Sequence, residues 1–119
     1  MINDLKVRTK TFALNIIKLV KMLPDDRTGR VLGNQIIRSG TSVAANYRPA
    51  CKARSKADFI SKITIVEEEA DETTLWLELL MESGTLNNDF INALHKEANE
   101  LTAIFTSSGK TAKQNNVKK

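Results

Sequence analysis

Apolar side chains recur at alternating intervals of three and four residues in four separate stretches of this 119-residue chain, the spacing that lines them up on one face of an α-helix. The first stretch carries Leu5, Phe12, Ile16, Leu19 and Leu23 and stops at Pro24; Asp25 and Asp26 follow as N-cap candidates for the next. The second carries Leu32, Ile36, Ser39, Val43 and Asn46. Its small residues (Ser39, Gly40, Ser42, Ala44, Ala45) allow a neighbouring helix to come close, and Pro49 is expected to end or kink it. The third opens at Ser55-Lys56-Ala57-Asp58, which resembles a capping box, aligns Phe59, Ile63, Val66, Ala70, Thr73, Leu77 and Leu80, and closes at Gly84. The fourth, capped by Asn87 or Asn88, aligns Phe90, Leu94, Ala98, Leu101 and Phe105. The connections at 24–26 and 84–87 are short, so the helices they join should be antiparallel neighbours. The expected fold is all-α, an antiparallel up-down-up-down four-helix bundle over residues 1–106. From Ser107 the composition turns to Ser, Gly, Lys, Gln and Asn, and residues 107–119 are expected to be a basic, disordered tail.

Composition agrees with that architecture. Aromatic residues make up only 5% of the chain, so Leu and Ile must do most of the packing, and five glycines with two prolines are too few for the turns of an all-β fold. No apolar run approaches the roughly 20 residues that span a bilayer. The N-terminal MINDLKVRTK lacks the apolar centre of a signal peptide, and a lone cysteine, Cys51, excludes an intramolecular disulfide. A soluble, cytoplasmic protein without a membrane association is expected.

Enzyme chemistry finds no residues to carry it. His95 and Cys51 are each single and far apart in sequence, which gives no nucleophile–base pair. The acidic run Glu67, Glu68, Glu69, Asp71 and Glu72 invites a di-iron site, but such bundles use Glu-x-x-His pairs, and the residue three before His95 is Asn92. A solvated acidic face paired with basic neighbours is the simpler reading. Gly109-Lys110-Thr111 looks like the end of a phosphate loop, yet Ile104 stands where its first glycine belongs. No catalytic residue, metal or cofactor is expected. Asn46, in the second seam, is read as a buried amide that fixes helix pairing, with Glu72 as its partner across the bundle; a functional amide is the alternative.

Charge is distributed unevenly. Residues 1–23 and 24–54 each carry +4, residues 55–83 carry −6, residues 84–106 carry −2 and residues 107–119 carry +4. A basic first half facing an acidic third quarter suggests oppositely charged helices side by side, with basic surface left for a polyanion. On a helical wheel of about 100° per residue with Leu32 at zero, Arg27, Arg30, Arg38, Arg48 and Lys52 fall at roughly 160–240°, away from the seam. Arginines so placed suit phosphate contacts with RNA or DNA; ordinary solvated surface, or pairing to an acidic neighbour, is the competing reading. Lys10, Lys18 and Lys21 repeat the pattern more weakly on the first helix. No aromatic platform is interleaved with the stripe, so sequence-specific reading of single strands is not supported.

The third stretch is more apolar than one core face can absorb: Leu75, Trp76, Leu77, Leu79, Leu80 and Met81 occupy six of seven consecutive positions. Ile65, Leu75, Trp76 and Leu79 are the candidates for burial between subunits of a homo-oligomer, against a broader intramolecular core.

The run Ser42-Val43-Ala44-Ala45-Asn46, followed by Arg54-Ser55-Lys56-Ala57-Asp58-Phe59-Ile60, resembles the four-helix-bundle proteins encoded in intervening sequences of bacterial 23S ribosomal RNA genes, together with the related accessory proteins of diversity-generating retroelements. The likeness extends from about Phe12 to Phe105, and its specific part is confined to residues 38–80. Ser42, Asn46, Phe59 and Glu72 match the family pattern. Pro49-Ala50 stands where Glu-Gly is usual, and Glu67-Glu68-Glu69 replaces a run of smaller residues. The resemblance implies a bundle that assembles into a pentameric ring, with nucleic-acid binding in the retroelement branch. A non-enzymatic homo-oligomer that binds RNA or DNA through phosphates and presents it to a partner protein is the leading expectation, and a protein-interaction scaffold the alternative. Most of the family has no assigned activity.

Overall fold

The computed structural model describes the backbone of residues 2–117 and the side chains of residues 4–114. Four helices follow in order, α1 (Ile2–Val20), α2 (Arg27–Ala50), α3 (Lys56–Glu82) and α4 (Asp89–Val117), and no strand occurs among the described residues. The fold is therefore the all-α four-helix bundle that the periodicity predicts. Each helix packs on its neighbours in chain order, and α1 returns against α4 to close the square; the backbones of the diagonal pairs α1/α3 and α2/α4 stay apart, and the Tyr47 and Phe105 rings, 5.5 Å between centroids, bridge α2 and α4 through the core.

Local chemistry sets the ends. Asp26 accepts a hydrogen bond from the Gly29 amide at 2.8 Å, Ser55 from the Asp58 amide at 3.0 Å and Asn88 from the Ile91 amide at 2.9 Å, each satisfying an N–H that its helix leaves without a partner. Gly84, at φ 75°, takes the left-handed conformation that ends α3. α1 stops at Val20, three residues short of Leu23, and α2 runs one residue past Pro49. That placement keeps the proline in the last turn.

The core is aliphatic, with Ile16, Leu19, Ile36, Val43, Ile63, Val66, Leu77, Leu80, Ile91 and Leu101 buried around Phe12 and Phe105. The α2 seam differs from its sequence reading. Leu32 and Asn46 are only half-buried, whereas Gly29, Gly33, Ile36, Gly40, Val43, Tyr47 and Ala50 form the buried line. The buried face is rotated by roughly 40° from Leu32, toward α1, at about 100° per residue. The cause is a close helix–helix approach: a Cβ on Gly40 would stand 2.8 Å from Ile16 Cγ1 and 2.9 Å from its Cγ2. Glycine adds nothing to an apolar pattern and yet makes the tightest contact between α1 and α2.

Two further expectations are corrected. Asn46 does not pair with Glu72; its amide donates to the Ser42 carbonyl one turn back, at 2.9 Å. The polar pair between α2 and α3 is Ser39 with Thr73, both buried, their hydroxyls 2.8 Å apart. The segment after residue 106 is helical through Val117. Thr106 donates to Glu67 at 2.7 Å, and Gly109 is buried beside Ile63, so α3 continues to support α4 there. Lys118 and Lys119 lie outside the described residues.

Candidate nucleic-acid interface

The five basic residues of α2 do not form one stripe. Arg27 and Lys52 are exposed and carry no ion pair among the described residues, and Arg30 is bound loosely to Asp25, 2.9 Å away, with both side chains largely in solvent. Such a pair holds its partners weakly. Arg38, at the middle of the helix, is engaged by α3: Nη1 donates to Glu69 at 3.3 Å and Nη2 to Glu72. Glu72 also accepts from the Trp76 indole at 3.1 Å. This cluster ties α2 to α3 and removes Arg38 from the free phosphate-binding set. Glu72, expected to meet Asn46, meets Arg38 and Trp76 instead.

At the far end of α2 the situation reverses. Arg48 and Lys52 project from its last turn and the residues after it, Arg54 comes from the connection to α3, and Lys62 rises from the second turn of α3. Together with Ala45, Pro49 and Asp58 they line an open groove of about 740 Å³. The corner is held by the backbone, with Lys52 N–H on Pro49 at 3.0 Å and Ala53 N–H on Ala50 at 3.2 Å. Asp58 is the groove's one carboxylate among the described residues, and its charge is already engaged by the Lys62 ammonium and by the Arg54 amide at 3.1 Å. Those bonds, Lys62 first, hold the Asp58 carboxyl below its ordinary range. Arg48, Lys52 and Arg54 are left with no side-chain partner among the described residues.

Chemically, such a groove accepts anions that bring their own counter-charge. Two guanidinium forks can take phosphate oxygens side-on, and the mobile ammonium of Lys52 adds a point charge. Arg54 and Lys62 escaped the sequence reading because neither lies on the α2 wheel; only the turn at 51–55 brings them to Arg48. The signal available was the basic count of Lys52-Ala53-Arg54 next to a helix start. Arg27 stands about 30 Å from Arg48 at 1.5 Å per residue, too far to share one phosphate with it.

The other candidates separate as well. Ile65, Leu75 and Leu79 remain 42%, 47% and 40% exposed on the outer side of α3. Trp76 does not belong with them: its ring packs against the core and its N–H is taken by Glu72. His95 is half-buried, with Nε2 2.9 Å from Glu78. Cys51 lies beside Tyr47, whose hydroxyl is pushed upward in pKa by burial and then by Cys51. Among the described residues no three His, Cys, Asp or Glu side chains are placed to hold a metal, and no helix is long and apolar enough to cross a membrane.

Residues 3–107 match the family model described as 23S rRNA-intervening sequence protein. Among solved structures, the chain is similar to a protein of unknown function from the S23 ribosomal protein family of Bacteroides thetaiotaomicron VPI-5482. The two share 37% identity and superpose with a TM-score of 0.82 over 89% of this chain and 98% of that one. Among curated proteins there is no match.

Proposed function

The chain belongs to the 23S rRNA-intervening sequence protein family, and from that membership we propose that it is a non-enzymatic, cytoplasmic, oligomeric bundle that binds RNA or DNA through the phosphate backbone. The observation that carries this reading is the convergence of Arg48, Lys52 and Arg54, none with an ion pair among the described residues, on one open groove whose single carboxylate among those residues is already paired with Lys62. Cations left without protein partners in a concave site favour a polyanion over a neutral ligand, and binding of this kind is driven by counterion release. Assembly rests on Ile65, Leu75 and Leu79, three large apolar side chains left in solvent on one helix face.

A protein-interaction scaffold is the second reading, favoured by Arg38, whose charge serves helix packing alone. The salt dependence of binding to a labelled single-stranded RNA decides between them. Affinity should fall steeply as salt rises, and Arg48→Glu with Lys52→Glu should flatten the log–log slope by at least about 1.4, two contacts at roughly 0.7 each on a single strand. Lys110→Glu with Lys113→Glu, a change to the basic end of α4, should leave the slope unaltered. Binding lost with the α4 lysines alone moves the site to α4, and no binding at low salt leaves the scaffold.

A further inference from the structure

A second recess adjoins the cationic groove, and Arg54 lines both. Its volume is about 450 Å³, within the roughly 300–1,000 Å³ of sites that take small molecules. Tyr47, Ala50 and Cys51 reach it from the end of α2, Lys56 and Phe59 from the first turn of α3, and no carboxylate lines it among the described residues. The corner is pre-formed, with Ala53 N–H bonded to the Ala50 carbonyl at 3.2 Å and Phe59 N–H to the Ser55 carbonyl at 2.9 Å. Tyr47 is almost wholly buried, its ring fixed against Phe105 and its hydroxyl on Cys51. Phe59 is different. Only half-buried against the core, it also lines a neighbouring recess of about 420 Å³ with Ser107, Ser108 and Thr111. Its ring therefore borders two open spaces, and nothing in the α2 stripe announced an aromatic surface beside Arg54.

From this adjacency we infer that the recess takes a nucleobase: a single strand whose phosphates lie against Arg48 and Lys52 turns one base past Arg54 and stacks it on Phe59. The inference rests on the phosphate-binding part of the proposed function and adds the substrate class, an unpaired strand. A nucleotide joins an anion directly to a flat aromatic ring, and this corner sets guanidinium groups directly beside a flat aromatic ring. A purely apolar ligand would leave Arg54 without a counter-charge, and a bare polyanion would leave Phe59 uncovered. The Arg54 guanidinium can itself lie on the π-face of the base, opposite the phenyl ring. In a duplex each base is paired and covered by its neighbours, so entry here would first cost unstacking and unpairing; a single strand offers the base at little cost. The inner wall provides one hydroxyl, Tyr47, and one thiol, Cys51, too few polar groups to choose among four bases. Recognition is therefore by ring face and tolerant of sequence.

Competition binding with the full chain tests this at one low salt concentration, a labelled oligoadenylate strand being displaced by the same strand unlabelled or by an abasic ribose–phosphate strand of equal length. The two competitors carry the same phosphates and differ only in bases. Wild type is expected to prefer the base-bearing strand by at least about five-fold, the lower end of what one stacked base contributes. Phe59→Leu keeps an apolar side chain against the core and removes the ring; Ala53→Leu fills the recess from the turn. Each should bring the preference to within about two-fold while leaving the affinity for the abasic strand and the salt slope as in wild type, with circular dichroism confirming the fold. Arg48→Glu with Lys52→Glu should instead weaken both strands alike. Equal binding of the two strands by wild type overturns the inference and leaves the phosphate reading standing, whereas no binding of either strand at low salt overturns both. A preference that survives either substitution in a folded chain overturns the placement of the base in this recess.

Discussion

Arg38 and Arg48 are the same residue type on the exposed side of the same helix, and their neighbours give them opposite parts. Opposite Arg38, α3 presents Glu69 and Glu72, and the guanidinium is held between helices. Opposite Arg48, the first turns of α3 present only Asp58, which Lys62 and the Arg54 amide already occupy. The middle of the α2–α3 pair is closed electrostatically and the corner is open. A basic residue on a helix surface acquires a role from the charge that faces it, so the distribution of acids along α3 decides which α2 cations hold the fold and which remain for a ligand.

The largest expected effect contrasts packing in the two regions. Gly40→Ala places a methyl against the branched Cβ and both γ-carbons of buried Ile16, which has no free end to swing aside. The cost should be about 1–3 kcal/mol, read from urea unfolding. Ala45→Lys, on the exposed wall of the groove, should change stability by no more than about 0.5 kcal/mol and steepen the salt dependence of RNA binding. Equal losses for the two would erase the distinction between a closed middle and an open corner.

Next in size is the removal of the acids that occupy Arg38. Glu69→Gln with Glu72→Gln keeps an acceptor for the Trp76 indole and frees the guanidinium. The pair is partly exposed, so screening limits the loss to about 1 kcal/mol. If neighbours set the fate of each cation, RNA binding gains about one contact, seen as a slope steeper by roughly 0.7. An unchanged slope would mean that position on the helix, and not pairing, governs access to phosphate.

Smaller still are the single neutral replacements. Arg38→Met should lower stability by less than about 1 kcal/mol and leave RNA affinity unmoved, since its charge is not available to a ligand. Arg48→Met should do the reverse, leaving the unfolding midpoint in place and making the salt slope shallower by about 0.7. The comparison fails if both variants shift the same property.

These contrasts also mark where sequence reading stopped. The seams of α1, α3 and α4 and three of the caps are legible because apolar periodicity and Asp, Ser and Asn at helix starts act locally, and Ile65, Leu75 and Leu79 are legible as a surplus over one core face. The α2 seam lies off its expected line because the closest approach of α2 to α1 is made at Gly40, which carries no apolar signal. The groove was half seen: Arg48 and Lys52 share a helix wheel, but Arg54 and Lys62 join them only through the turn at 51–55. Composition reads residues 107–117 as tail, although α3 holds Thr106 just before them through Glu67 and meets buried Gly109 with Ile63. Arg38 looked free for a similar reason: a wheel shows which way a side chain leaves its helix and not what meets it there.

The smallest effect concerns Asp58, the carboxylate inside the open corner. Its folded-state pKa lies below the ordinary value, so its charged form contributes to the fold above the usual carboxylate range, and that contribution is lost only as pH falls through the depressed value. At neutral pH it therefore stays charged, occupies Lys62 and repels incoming phosphate. Asp58→Asn removes the repulsion and releases Lys62, while the amide oxygen still accepts the Arg54 N–H. Single-stranded RNA should then bind about two- to five-fold more tightly at neutral pH and low salt, with a slope steeper by at most about 0.7 as Lys62 becomes a further contact. The gain should shrink in acid, where protonation makes the wild-type groove resemble the variant, and it should vanish in an Arg48→Glu, Lys52→Glu background. A variant that folds normally and binds no better would show that phosphate does not enter the groove beside Asp58, and the free cations of the corner would then have to act from its outer rim.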